Sequence, residues 1–67
     1  MFNKDEFCGK VRGKGFTLEK IAEYLGINPA TLTRKLNGIS DFTRNEIEML
    51  RNKLSLSNED IMLIFFA

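Results

Sequence analysis

Apolar side chains recur at helical spacing along most of the chain. The clearest segment has them at positions i, i+3, i+4 and i+7, as Leu18, Ile21, Ala22 and Leu25. That spacing places them on one face of an α-helix. Shorter stripes are formed by Phe7, Cys8 and Val11, and by Ile47, Leu50 and Leu54. No segment alternates as a strand does, although the final Ile64-Phe65-Phe66 has the composition of one. The pattern therefore predicts an all-α protein.

Capping residues divide this pattern into five helices. Each predicted helix follows a residue that suits an N-cap, namely Asn3, Thr17, Asn28, Thr43 and Ser57. An acidic residue three positions after the cap gives the first, fourth and fifth helices the spacing of a capping box. The first three helices are predicted over about residues 4–12, 18–25 and 29–37, and glycine follows each of them. The fourth helix starts after Thr43, and a short fifth helix runs into residues 61–66.

Length and residue inventory exclude several classes of protein. Sixty-seven residues are enough for one domain, which we place at residues 1–67. One cysteine, Cys8, and no histidine exclude a Cys/His zinc site and leave Cys8 without a histidine partner to activate it as a nucleophile. No apolar run approaches the roughly 18 residues of a membrane span or resembles a signal peptide. A lone cysteine also fits a reducing compartment. We therefore expect a cytoplasmic, non-enzymatic domain with no cofactor, metal, membrane partner or small-molecule ligand.

Positive charge is concentrated in the first part of the chain. Residues 1–38 hold seven Lys and Arg against four acidic residues, whereas residues 39–67 hold three against five. The formal net charge is only +1. This asymmetry fits a local surface that faces phosphates, but small asymmetries are also common in proteins without such a partner.

Residues 17–38 have the organisation of a helix-turn-helix. Ala22 is small enough to let two helices approach closely, and Gly26 tolerates the left-handed turn between them. Pro29 suits the first position of the second helix of the pair. The apolar residues expected to fill the space between and beneath the two helices are Ile21, Leu25, Ile27 and Leu32.

This segment resembles the Cro and phage-repressor (XRE-type) helix-turn-helix family. The shared features are Ala22, Gly26, the apolar positions and the closing Leu36-Asn37-Gly38. The five-helix layout extends the resemblance over nearly the whole chain. Residues 32–38, 41–43, 46–47 and 65–66 look like those of small phage and prophage Cro-type regulators. The resemblance implies a compact lambda-repressor-like bundle that acts as a transcriptional regulator in a bacterial cell.

Two positions depart from that family. Leu18 stands where members often place a glutamine that holds a phosphate, so this contact must come from Thr17 or from backbone N–H groups. Lys35 stands where members often have an apolar residue. We expect its aliphatic stem to cover the core while its ammonium group reaches outward.

The third helix carries the residues that we expect to read DNA bases. A recognition helix presents its N-terminal part to base edges in the major groove, and the candidates are Ala30, Thr31, Thr33, Arg34 and Asn37. Arg34 is the strongest because its guanidinium can pair with O6 and N7 of guanine; the alternative is a phosphate or intrahelical contact. The threonines either contact bases or are simply exposed, and Ala30 is either a thymine-methyl contact or a neutral spacer.

Phosphate contacts are expected from basic side chains and from the starts of helices. The candidates are Lys10, Arg12, Lys14, Thr17, Asn28, Lys35, Thr43, Arg44 and Asn45. The basic residues of the first part of the chain are equally explained as a solvated face. Asn28 and Thr43 are equally explained as helix caps.

Two kinds of partner fit the sequence. The first is double-stranded DNA with a pseudo-palindromic operator, bound by a weak homodimer that shares part of the apolar tail at residues 61–66. Most of that tail is expected to pack on its own core. The second is another protein, with the same scaffold acting as an anti-repressor or antitoxin-like module. The near-neutral charge and the apolar tail favour the second, and the basic pair Arg34 and Lys35 favours the first.

Overall fold

The computed structural model describes all 67 residues, and five α-helices account for most of them. The helices are α1 (Lys4–Gly13), α2 (Leu18–Leu25), α3 (Pro29–Leu36), α4 (Arg44–Leu54) and α5 (Asn58–Phe65). No strand is present, because Ile64 and Phe65 belong to α5. The predicted all-α bundle of five short helices is therefore confirmed. None of the helices is long and apolar enough to cross a membrane.

Each helix begins at the predicted cap. The Thr43 and Ser57 hydroxyls accept hydrogen bonds from the backbone amides of Glu46 and Asp60. The carboxylates of these two acidic residues in turn accept from the backbone amides of Thr43 and Ser57, so α4 and α5 start with complete capping boxes. At α1 only half of the predicted box forms. Asn3 Oδ1 accepts a hydrogen bond from the backbone amide of Glu6 at 3.2 Å. The backbone amide of Asn3, however, donates to the carbonyl of Ile64 at 2.6 Å and not to the Glu6 side chain. The start of α1 is therefore joined to the end of α5.

The core is formed by one inward face from every helix. Twelve buried apolar residues make up a single cluster, and Phe7, Ile21, Leu50, Leu54 and Ile64 have no measurable exposure. Four phenylalanines, Phe2, Phe7, Phe42 and Phe65, pack against one another with ring centroids 5.1–6.5 Å apart. This aromatic cluster joins α1, the α3–α4 loop and α5. Helix α1 packs on α5, and α2 packs on α3.

The apolar tail divides between the two faces of α5. Ile61, Ile64 and Phe65 are buried in the core. Met62, Leu63 and Phe66 point outward and retain 59%, 52% and 59% of their accessible surface. We call these three residues, of which Phe66 is the C-cap of the helix, the outer face of α5. Half of the tail is therefore covered by its own core, and the other half is an exposed apolar surface.

Candidate nucleic-acid interface

The turn between α2 and α3 is built by Gly26. This residue has φ +72° and ψ +29°, in the left-handed region that glycine enters without steric cost. The Ile27 amide donates to the Ala22 carbonyl at 3.0 Å, and the Gly26 amide donates to the Glu23 carbonyl at 3.1 Å. These two bonds form a Schellman motif, which provides hydrogen-bond donors for carbonyl groups in the last turn of α2. The chain then needs only Ile27 and Asn28 before α3 begins, so the two helices are held at a fixed angle.

Helix α3 is closely packed on one side and free on the other. Its buried residues are Leu32, Lys35 and Leu36. Its exposed residues, together with the C-cap, are Pro29, Ala30, Thr33, Arg34 and Asn37. They follow one another at the spacing of a single helix face, and we call them the outer stripe of α3. Thr31 is half-buried at its edge. Four of the five predicted base-reading residues thus share one surface, and Thr31 is the least accessible.

The polar groups of the outer stripe differ in whether they already form hydrogen bonds within the protein. The Thr33 hydroxyl donates to the Pro29 carbonyl at 3.1 Å, which leaves its oxygen lone pairs available as acceptors. The Arg34 guanidinium makes no hydrogen bond or ion pair with another residue. All its donors therefore remain free, in the fork geometry that suits guanine or a phosphate.

Lys4 is a member of this surface that the sequence did not indicate. Its ammonium donates to Oδ1 of Asn37 at 3.1 Å, across 33 positions of sequence. The start of α1 therefore lies beside the end of the outer stripe and adds a positive charge there. No local pattern relates residues so far apart, so only the fold could reveal this pair.

The prediction for Lys35 was wrong. Its ammonium does not reach outward: the residue is only 8% exposed. Its Nζ lies 3.0 Å from Oε1 of Glu46 and donates to the carbonyl of Asp41 at 2.8 Å. The cause is the opposite charge placed at the start of α4, which gives the lysine a buried partner. Lys35 is therefore withdrawn from the phosphate candidates.

The remaining basic candidates differ in availability. Lys10 forms an ion pair with Asp60 of α5, with Nζ and Oδ1 3.2 Å apart. Hydrogen bonds from the Ser57 backbone amide and from Lys10 hold the pKa of Asp60 below its usual value. Lys10 is thus already paired and is a weaker phosphate candidate than expected. Arg12 and Lys14, by contrast, are exposed and have no acidic partner.

The helix starts named as phosphate candidates are all exposed. The oxygens of Thr17 and Asn28 act as caps, accepting the Lys20 amide at 3.2 Å and the Ala30 amide at 2.8 Å. At α4, Thr43 forms the capping box, and the amides of Arg44 and Asn45 have no acceptor within the protein. The side-chain amide of Asn45 donates only to Sδ of Met49, at 3.6 Å. Both the capping and the phosphate interpretations of these residues therefore remain compatible with the geometry.

Acidic side chains also border this surface. Glu19, Lys20 and Glu23 are exposed on α2 and, together with Pro29 of α3, line a groove in which the two carboxylates outnumber the one ammonium group. A carboxylate near the start of α2 opposes a phosphate at Thr17, where the sequence already lacks the family's glutamine. The positive side chains that the structure places on or beside the outer stripe of α3 are Arg34, Lys4 and Lys20.

No family model, no curated protein and no solved structure matches this chain. The arrangement has no three His, Cys, Asp or Glu side chains grouped as a metal site. The geometry defines a small all-α domain in which one short helix, α3, follows a glycine turn and presents a polar face to solvent.

Proposed function

We propose that this protein is a sequence-specific DNA-binding transcriptional regulator of the Cro and phage-repressor type. In this proposal α3 enters the major groove of double-stranded DNA. The observation that carries it is the outer stripe of α3, where Arg34 has no partner in the protein while the opposite face of the helix is locked into the core. Such a rigid helix with free polar groups is what direct readout of base edges requires.

Each group has a role in this proposal. Arg34 pairs with a guanine, and Thr33, Ala30 and Asn37 contact neighbouring base edges. Lys4, Arg12, Lys14 and the start of α4 hold phosphates, which fixes the register of the protein on the duplex. Lys35 takes no part in direct contact, because its ammonium is bonded inside the protein.

Selection from a pool of random duplexes tests this function. We expect the protein to enrich one class of sequence, with the enriched sites arranged as inverted half-sites. With about four to six phosphates neutralised, log K should fall against log salt with a slope near about −4 to −5. The proposal is wrong if the protein retains no duplex from the pool at low salt.

The outer face of α5 favours a second partner. Met62, Leu63 and Phe66 form an exposed apolar surface on a small domain, and such surfaces mark contacts with other proteins. A weak homodimer on DNA uses this face to bring two copies of α3 about 34 Å apart on one side of the duplex.

The competing function is a protein-interaction module without DNA binding, in which the same face receives a different protein. Glu19 and Glu23 beside α3 favour this alternative, because together they outweigh Lys20 in the same groove and repel phosphate. The duplex selection separates the two functions, since only the first predicts an enriched sequence.

A further inference from the structure

One carboxylate oxygen connects three parts of the molecule. Oε1 of Glu46 accepts the Thr43 amide at 2.9 Å and lies 3.0 Å from Nζ of Lys35. The same ammonium donates to the Asp41 carbonyl at 2.8 Å. The last turn of α3, the α3–α4 loop and the first turn of α4 are therefore fastened at one point. We call this arrangement the Lys35–Glu46 tie.

The tie is buried and ionised. The side chains of Lys35 and Glu46 are only 10% and 13% exposed. Burial raises the pKa of Glu46, but the hydrogen bonds from Thr43 and Lys35 outweigh this effect and hold it below its usual value. The carboxylate therefore stays charged at neutral pH. A buried ion pair of this kind adds little net stability over apolar side chains of similar volume, because desolvation offsets the attraction.

What the tie adds is a set of hydrogen bonds of fixed geometry between α3 and its neighbours. The other buried side chains of α3, Leu32 and Leu36, make apolar contacts, which keep this side of the helix toward the core but have no preferred bond direction. Lys35 alone bonds from the buried side of α3 to fixed atoms in another element. It is also adjacent to Arg34, and neighbours on a helix are separated by a fixed rotation because the helix has about 3.6 residues per turn. Holding Lys35 therefore fixes where Arg34 points.

We propose that Lys35 and Glu46 are positioning residues, which set the rotation of α3 about its own axis and hence the alignment of Arg34 and Thr33 with base pairs. The inference rests on the proposed DNA-binding function. It adds that sequence discrimination depends on two residues that do not touch DNA. Loss of the tie leaves only the apolar contacts of Leu32 and Leu36 to set the rotation of α3, so the base contacts become less selective while the phosphate contacts persist.

The test is a double variant, Lys35→Met with Glu46→Gln. Gln at position 46 keeps an oxygen for the Thr43 amide, so the capping box survives, and Met replaces the lysine stem with an apolar chain of similar length. Lys53→Met is the matched control. Lys53 lies 5.0 Å from the ring centres of Phe16 and Tyr24, outside the tie. Its removal lowers the net charge by one, whereas the double variant removes one positive and one negative charge and leaves the net charge unchanged, so any general loss of attraction to phosphates falls on the control.

The measured quantity is the ratio of dissociation constants for an unselected duplex and for a duplex of equal length that the wild type enriches from the random pool. A purely structural role would lower the folded fraction and weaken both duplexes alike, which leaves this ratio unchanged. We expect the double variant to lose about tenfold in the ratio, within the range of one base contact. Lys53→Met should keep the wild-type ratio.

The possible failures are distinct. A wild-type protein that enriches no duplex overturns the proposed function and this inference with it. A wild type that discriminates, together with a double variant of equal ratio, overturns this inference alone. If the double variant is unfolded at the assay temperature, Lys35→Met alone carries the comparison. It keeps Glu46 and its capping box but removes both bonds from α3, and an unchanged ratio for it counts against the tie.

Discussion

At the scale of single residues, Arg34 and Lys35 show how neighbours on one helix acquire different roles. Both are basic, but Arg34 is exposed and unpaired whereas Lys35 is buried against Glu46. The rotation of the helix between adjacent residues points their side chains in different directions, and Glu46 at the start of α4 pairs with the one that points inward. A basic pair in the sequence therefore amounts to one charge available to a partner.

Arg34→Ala should relax sequence preference at one base position. The expected loss on the enriched duplex is about 1–3 kcal/mol, because a bidentate contact to guanine is worth about that much. Lys14→Ala is the control: it should weaken all duplexes alike and reduce the salt slope by about one. Both are measured by titrating enriched and unselected duplexes at several salt concentrations. Equal losses on the two duplexes for Arg34→Ala would assign this residue to a phosphate.

Glu46 makes stability depend on acidity. Its pKa is lowered from 4.5 in the folded protein, so its contribution is complete above that value and is lost as the pH falls through the lowered pKa. We expect the melting temperature to fall between about pH 5 and pH 3. Glu46→Gln should flatten this fall in part only, since Asp60 has a pKa shifted in the same direction. A variant with the unaltered wild-type profile would show that Glu46 contributes nothing to it.

At the scale of helices, the crossing of α2 and α3 depends on a small side chain. Ala22 is only 1% exposed, and its carbonyl receives the Ile27 amide of the turn. Ala22→Leu should overpack this crossing by about 1–3 kcal/mol. In a domain of this size that loss lowers the melting temperature by about 5–20 °C.

The matched control for this prediction is Ala30→Leu. It adds the same atoms on the outer stripe of α3, where Ala30 is exposed, so the melting temperature should change little. Calorimetry or circular dichroism during heating measures both variants. An equally stable Ala22→Leu protein would mean that the helices are not in close contact at this position.

The helices and their caps were predictable from sequence because they obey local rules. Thr43 and Glu46, or Gly26 and the turn that it makes, lie within a few residues of each other, so their types alone indicate the structure. The outer stripe of α3 followed from helical periodicity in the same way. Lys4 beside Asn37 and the buried Lys35 depend on how helices pack, which no local pattern contains. The half-formed capping box at Asn3 has the same origin, since its amide is taken by Ile64.

At the scale of the whole molecule, the proposed dimer depends on the outer face of α5. We expect two protein molecules per enriched duplex at saturation and a monomer in dilute solution, because three exposed side chains make only a small interface. Leu63→Gln should reduce the cooperativity of binding by about tenfold, in line with the loss of one buried apolar contact.

Ile39→Gln provides the comparison. Ile39 is 68% exposed in the α3–α4 loop, so the substitution removes a similar apolar group outside α5 and should leave cooperativity unchanged. Sedimentation of the protein with the enriched duplex gives the stoichiometry directly. One protein per duplex at saturation would contradict the dimer.

The bond between the Asn3 amide and the Ile64 carbonyl has a consequence for how the molecule opens. With the ring contacts of Phe2, it joins α1 and α5 into one unit formed by residues distant in sequence, whereas α2 and α3 meet through a short turn. Separating the first unit requires a long loop to open, so its amides should exchange with deuterium together and only when the protein unfolds globally. Helices α2 and α3 form the unit that closes through a short turn, so their amides should exchange earlier than those of α1 and α5, through openings smaller than global unfolding.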